Sequence, residues 1–205
     1  YNHEEIFLQE GWRYDIKNPE DEIKINGVVY NEMKGAFSDP QQILLRVIMH
    51  SLYPDTPYGF ESGGDPKYIP DLSYDEFLKF HSEFYHPSNS YILIYGDCDM
   101  SERMDWLDKE YLANFEYNAF NTSIPYQAPF NTPRVVNEYY QIDKSTPLEN
   151  KTFFSYNVSF PTTLEPKLML AMGILTTILL DNPGAPLKQA LIDNGIGDSI
   201  DSMFD

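Results

Sequence analysis

The chain has 205 residues, with 14 Lys and Arg against 32 Asp and Glu, a formal net charge of −18. That balance excludes a phosphate-binding surface built from clustered cations and disfavours an anionic membrane as partner. Hydrophobic residues make up 42% and aromatics 15%, too apolar for a disordered chain and enough for one large domain or two small ones.

Residues 7–16 (FLQEGWRYDI) read as a strand, from their aromatic and β-branched content and the Asn18-Pro19 turn signal. Residues 27–38 (GVVYNEMKGAFS) read as a helix. Asp39-Pro40 opens another, with Asp39 as N-cap and Pro40 at the first helical position. That helix, QQILLRVIMHSLY, is apolar nearly all round and is expected to be buried. Residues 54–72 form a long loop rich in Pro and Gly, a length that often carries function. Ser73 to Glu76 spell a capping box for a helix through Tyr85, which His86-Pro87-Ser88-Asn89 ends. Residues 90–97 (SYILIYGD) read as a strand, and 101–115 as a helix capped by Ser101. Residues 116–134 lose periodicity and gather Pro125, Pro129 and Pro133, the clearest linker signal in the chain. Strands are then expected near 135–142 and 152–160, with helices at 164–181 and 186–193 on either side of Pro183-Gly184.

Strand, helices, strand and helix in that order suggest helices packed on a sheet. The longest apolar run, Leu168 to Leu180, falls short of the roughly 20 residues needed to cross a bilayer. The N-terminus has no signal-peptide pattern and no initiator Met, so a piece of a longer chain is expected. Cys98 is the sole cysteine, which excludes an intrachain disulfide and a cysteine zinc cluster. It fits a reducing compartment, and the cytoplasm is the expected location.

Glu32 is the most informative residue. Counting about 100° per residue from Val28, Glu32 lands near 40°, between Val28 and Val29 at about 100° and inside the apolar arc. A carboxylate buried there needs a cation, a metal or hydrogen-bond donors. The plainer alternative is a Glu at the edge of the stripe, reaching solvent or an Arg. His81, Glu83 and His86 lack metal-site spacing, because five residues put His86 roughly 140° around from His81. Pro87 also pushes His86 out of helical geometry. His81 and His50 read as core histidines, and terminal His3 is uninformative. Asp97, Cys98, Asp99 and Glu102 do not make a calcium loop, and Asp99 and Ser101 read as turn and cap residues. Gly63-Gly64 has neither the Lys-Ser/Thr nor the preceding strand of a phosphate loop.

The stretches GVVYNEMKGAFSDPQQIL (27–44) and SLYPDTPYGFESGGDPKYIPDLSYDEFLKFHSEFYHPSNSYILIYGD (51–97) resemble the insulinase/pitrilysin-type zinc metallopeptidases, in the presequence-protease branch. PFNTPR (129–134) and NPGAPLKQALIDNGIG (182–197) continue the resemblance more weakly. In that family two histidines of an HXXEH motif and a glutamate on a later helix hold zinc, and the motif's own glutamate is the general base. The resemblance places Glu32 as the later zinc ligand. The chain contains no HXXEH, so it is expected to hold one ligand of three, no general base, and no zinc or activity by itself. The implied fold is α+β, a mainly antiparallel sheet with helices packed on one face, in partial copies around an acidic peptide chamber. Residues 1–115 then form the later part of the catalytic copy, 116–134 the linker, and 135–205 the start of a second copy. Implied partners are peptide substrates and the rest of the parent chain, with no nucleic acid and no membrane. Self-association through open sheet edges is also expected. The alternative is a non-catalytic peptidase-like module for binding or assembly.

Overall fold

A computed structural model describes residues 2–160, 163–197 and 199–204. The chain divides into two units, Tyr1–Gln141 and Ile142–Asp205.

In the first unit, α1 (Glu4–Glu10) leads into β1 (Arg13–Asp15), which pairs antiparallel with β2 (Lys24–Asn26), Tyr14 opposite Ile25. Then come α2 (Val28–Ala36), α3 (Pro40–Leu52), α4 (Tyr74–Phe84) and α5 (Met100–Glu110), joined by loops with short 3-10 turns. Phe7 on α1 packs against Tyr74 and Phe77 on α4, ring centroids 5.9 and 5.6 Å away. The Trp12 indole N–H donates to the Leu72 carbonyl at 2.8 Å, fixing the hairpin to the loop before α4.

Local chemistry sets the helix starts. Asp39 Oδ1 accepts from the Gln41 and Gln42 amides, both at 2.9 Å, with Pro40 needing no partner. Ser73 and Glu76 make the reciprocal capping box of α4. Asp99, not Ser101, caps α5, its Oδ1 taking the Glu102 amide at 3.1 Å.

Residues 116–134 have no regular element but are stapled back onto this unit. Gln127 and Asp55 exchange two hydrogen bonds, at 2.7 and 3.0 Å. The Asn118 amide donates to Ser88 Oγ at 3.2 Å, and Arg134 Nη1 donates to the Ser51 carbonyl at 3.4 Å.

In the second unit, α6 (Pro166–Thr176) runs into a π-turn (Thr177–Asp181), and α7 (Pro186–Asp193) follows a turn with Gly184 at φ +73°. Such a φ favours glycine and breaks the helical path between them. Within the 28 residues Pro166–Asp193 the most apolar 18 consecutive residues have mean hydropathy 1.4, enough by length and composition to cross a membrane. The Gly184 turn limits the uninterrupted part to Pro166–Asp181, below the roughly 20 residues a bilayer needs.

The mainly antiparallel sheet is not what the structure shows. Among the described residues β1 and β2 form the only sheet, two strands of three residues each, and the fold is mostly helical. Residues 90–97, 135–142 and 152–160 lie outside any ladder. Their composition suits strands, but a strand exists only where a neighbour accepts its backbone hydrogen bonds. The expected strand at 7–16 is instead α1 followed by β1, because Phe7 packs from a helix onto α4. Burial of α3 is also corrected: its apolar residues are half-buried or, like Leu45, exposed.

Candidate functional site

The candidate site is one face of α2, and its position begins at the hairpin. Asn26, the last residue of β2, uses its side chain as a bracket. Its Oδ1 accepts from the Gly27 amide at 2.9 Å and from Asn31 Nδ2 at 2.6 Å, while its Nδ2 donates to Asp15 Oδ2 at 3.1 Å. Gly27, at the N-cap, is buried against the Gly11–Trp12 backbone, and the Tyr30 amide donates to the Gly11 carbonyl at 3.3 Å.

α2 carries apolar residues on two sides. Tyr30, Met33 and Phe37 are half-buried. Met33 lies against Gly63 in the SGGDP loop, where a Cβ would stand 2.4 Å from its Sδ. Arg46 of α3 stacks on Phe37, its guanidinium carbon 3.7 Å from the ring centroid. The other side holds Val28, Val29 and Glu32. Val28 and Val29 are 51% and 38% exposed, and Glu32 is exposed between them. No hydrogen bond or ion pair reaches Glu32 among the described residues. Arg46 of α3 is engaged with Phe37. The apolar arc read from the wheel is therefore real, but it is open.

As a zinc ligand Glu32 fits by donor chemistry: it is a free carboxylate on a helix, set among apolar neighbours. It fits only as one member of a set. No group of three His, Cys, Asp or Glu able to hold a metal occurs among the described residues.

The histidines lie elsewhere and serve local structure. His50 Nδ1 is 3.2 Å from the Gly59 carbonyl, and the His81 ring stacks on Tyr85 at 4.4 Å. His86 Nδ1 accepts from the Ser88 amide at 3.1 Å, and its ring sits against Phe115 and Phe120. Cys98 is free and exposed. Sequence reading missed the Asp15–Asn26–Asn31 bracket. Its only trace is an Asn directly before the helix-opening glycine.

Among the described residues two carboxylates and one phenol are perturbed. Glu76 is held below the usual carboxylate range by the Ser73 amide and hydroxyl. Asp143 is lowered by the Ser145 hydroxyl and amide. Tyr74 is raised, first by desolvation and then by Glu4, Glu5 and Asp75. None of the three lies on the α2 face.

Residues 71–205 match the profile of the Peptidase M16 inactive domain, about two-thirds of the chain. The chain therefore belongs to the M16, or insulinase, family of peptidases, among relatives of the presequence proteases. It is 47% identical to protein HypA of Clostridium perfringens over its whole length, which is 21% of that protein. It is 39% identical to presequence protease 1, chloroplastic/mitochondrial, of Arabidopsis thaliana, across 95% of this chain and 18% of that protein. The mitochondrial presequence protease of Danio rerio is 34% identical, across 96% of this chain and 20% of the relative. The chain thus spans about a fifth of the length of these relatives. Glu32 lies outside the profile match but within the segment aligned to HypA.

Proposed function

We propose that this chain is part of a zinc-dependent metalloendopeptidase that degrades unfolded peptides within a closed chamber. Glu32 is one zinc ligand in this reading, and the remaining ligands and the general base come from sequence preceding it. The observation that carries the reading is the Glu32 carboxylate, free between two exposed valines on a helix already fixed on its other side. A helix bearing the remaining ligands would cover Val28 and Val29 and bring its donors to Glu32. Zinc in such a site supplies Lewis acidity to water and to the scissile carbonyl. Glu32 contributes a negative donor in an increasingly apolar environment, where the metal offsets its desolvation.

The division into a catalytic copy to residue 115, a linker at 116–134 and a second copy from 135 belongs to the same proposal. So do peptide substrates, a cytoplasmic location and the absence of nucleic acid and membrane partners. The net charge of −18 supports a chamber that accepts basic peptides, through long-range attraction. By itself the chain then binds no zinc usefully and is inactive.

The test uses the full-length gene product and its Glu32→Gln variant, with zinc content and cleavage of a fluorogenic peptide as readouts. Loss of both in the variant supports the assignment. Unchanged zinc and activity would sink it. A second reading, a non-catalytic binding or assembly module, is favoured by the match to a domain described as inactive. Absence of zinc and activity from the full-length protein would select it.

A further inference from the structure

We infer that Asp15, Asn26 and Gly27 are positioning residues that set where α2 presents Glu32. The inference rests on the zinc-ligand reading of Glu32 and extends it to residues that never touch the metal.

Two observations carry it. The first is the bracket: one side-chain amide, that of Asn26, joins the hairpin to the first turn of α2. Its oxygen holds both the Gly27 amide and the side chain of Asn31, the residue immediately before Glu32. Its nitrogen is tied to Asp15 Oδ2 on the partner strand. Every hydrogen-bonding atom of the Asn26 side chain except one N–H is therefore committed to fixing this junction.

The second is steric. A Cβ on Gly27 would stand 2.1 Å from the Gly11 carbonyl oxygen, 2.7 Å from its carbon and 2.8 Å from Trp12 Cα. All three are backbone atoms and cannot swing aside as a side-chain end can. Any larger residue at 27 must push the start of α2 away from the hairpin, and Glu32 moves with it. Gly27 has φ 161°, an extended value open to any residue, so the requirement is for space and not for conformation.

A metal ligand must be held to a few tenths of an ångström, and partners that orient ligands are worth about 10- to 100-fold in metal affinity. The experiment compares full-length wild type with Asn26→Asp, Asp15→Asn, the double swap Asp15→Asn/Asn26→Asp, Gly27→Val and Glu32→Gln. Zinc dissociation constants come from chelator competition, kcat and KM from peptide cleavage, and amide exchange is followed for residues 24–34. Asn26→Asp sets two carboxylates against each other and should weaken zinc binding more than 10-fold. It should also lower kcat with KM unchanged and speed exchange in the first turn of α2. The double swap restores donor to acceptor and should recover zinc affinity and kcat, which a general loss of folding would not. Gly27→Val should behave like Asn26→Asp.

Wild-type zinc affinity in Asn26→Asp and Gly27→Val, with loss only in Glu32→Gln, would overturn the positioning role and leave the ligand intact. Zinc retained by Glu32→Gln would remove the ligand reading and the positioning inference together.

Discussion

At the scale of single residues, the strongest local determinants are the acidic caps. Asp39 satisfies two otherwise orphaned amides of α3. Asp39→Ala should destabilise the first unit by about 1 kcal/mol, read as a shift in the denaturant midpoint followed by circular dichroism. Glu76 behaves differently because its cap is titratable. Its carboxyl is lowered in the folded state by the Ser73 amide and hydroxyl. The stability it adds is therefore complete above the ordinary Glu range and is lost as the pH falls through the lowered folded value. Unfolding measured from pH 6 downward should show a loss that is shallower in Glu76→Gln; an identical profile would exclude the capping carboxylate as its source. Both caps were legible in the sequence, because a cap and its targets sit within three residues of each other. The cap of α5 was displaced by two residues, from Ser101 to Asp99, since Asp and Ser are nearly equal in this role. The exposed Glu32 matches the plainer of the two sequence readings, a carboxylate at the edge of the stripe reaching solvent. A helix wheel shows which residues share a face but not whether anything covers that face.

At the scale of elements, the helices from α2 onward were readable, whereas α1 was read as a strand and the sheet was not readable. α2, α3, α4 and α7 follow from caps, Pro positions and apolar spacing within one segment. A strand is different, because its identity depends on a second segment distant in sequence. Residues 90–95 show the consequence: Tyr91, Leu93 and Tyr95 are 106%, 89% and 97% exposed. Their alternation has the period of a strand, which is why the pattern predicts one. Without a neighbouring strand it has no ladder partner for its backbone groups, apart from the Ser90 amide, which donates to the Pro87 carbonyl at 3.2 Å. The staples of residues 116–134 were equally invisible, since Gln127 and Asp55 are 72 residues apart. Gln127→Ala should release this segment without unfolding α3, read as faster proteolysis within 116–134 against unchanged helical ellipticity. Equal cleavage rates would mean that Asp55 does not anchor it.

At the scale of the whole molecule, the decisive quantity is uncovered surface. The chain exposes 17286 Å², whereas two separate compact units of these sizes would expose about 12,000 Å². Among the described residues only Ile69, Ala185 and Thr56 are buried side-chain positions of note. Apolar area left open on this scale drives association. Sedimentation of the isolated chain should show concentration-dependent self-association that weakens when Leu93 and Tyr95 are both changed to Lys. A monomer at all concentrations would show that the open edges are protected in solution. The relatives it matches are about five times as long.

The junction of Trp12 also equips the molecule with an optical reporter. The sequence has two tryptophans, and Trp106 is 58% exposed, so its emission should be that of a solvated indole. Trp12 is half-buried, bonded to the Leu72 carbonyl and set edge-on to Tyr14 at 5.4 Å. With Trp106 replaced by Phe, the remaining fluorescence comes from the point where Gly11, Trp12 and Gly27 meet. Its wavelength and its excitation through Tyr14 would follow the seating of the Glu32 helix in real time, without a label and without waiting for turnover.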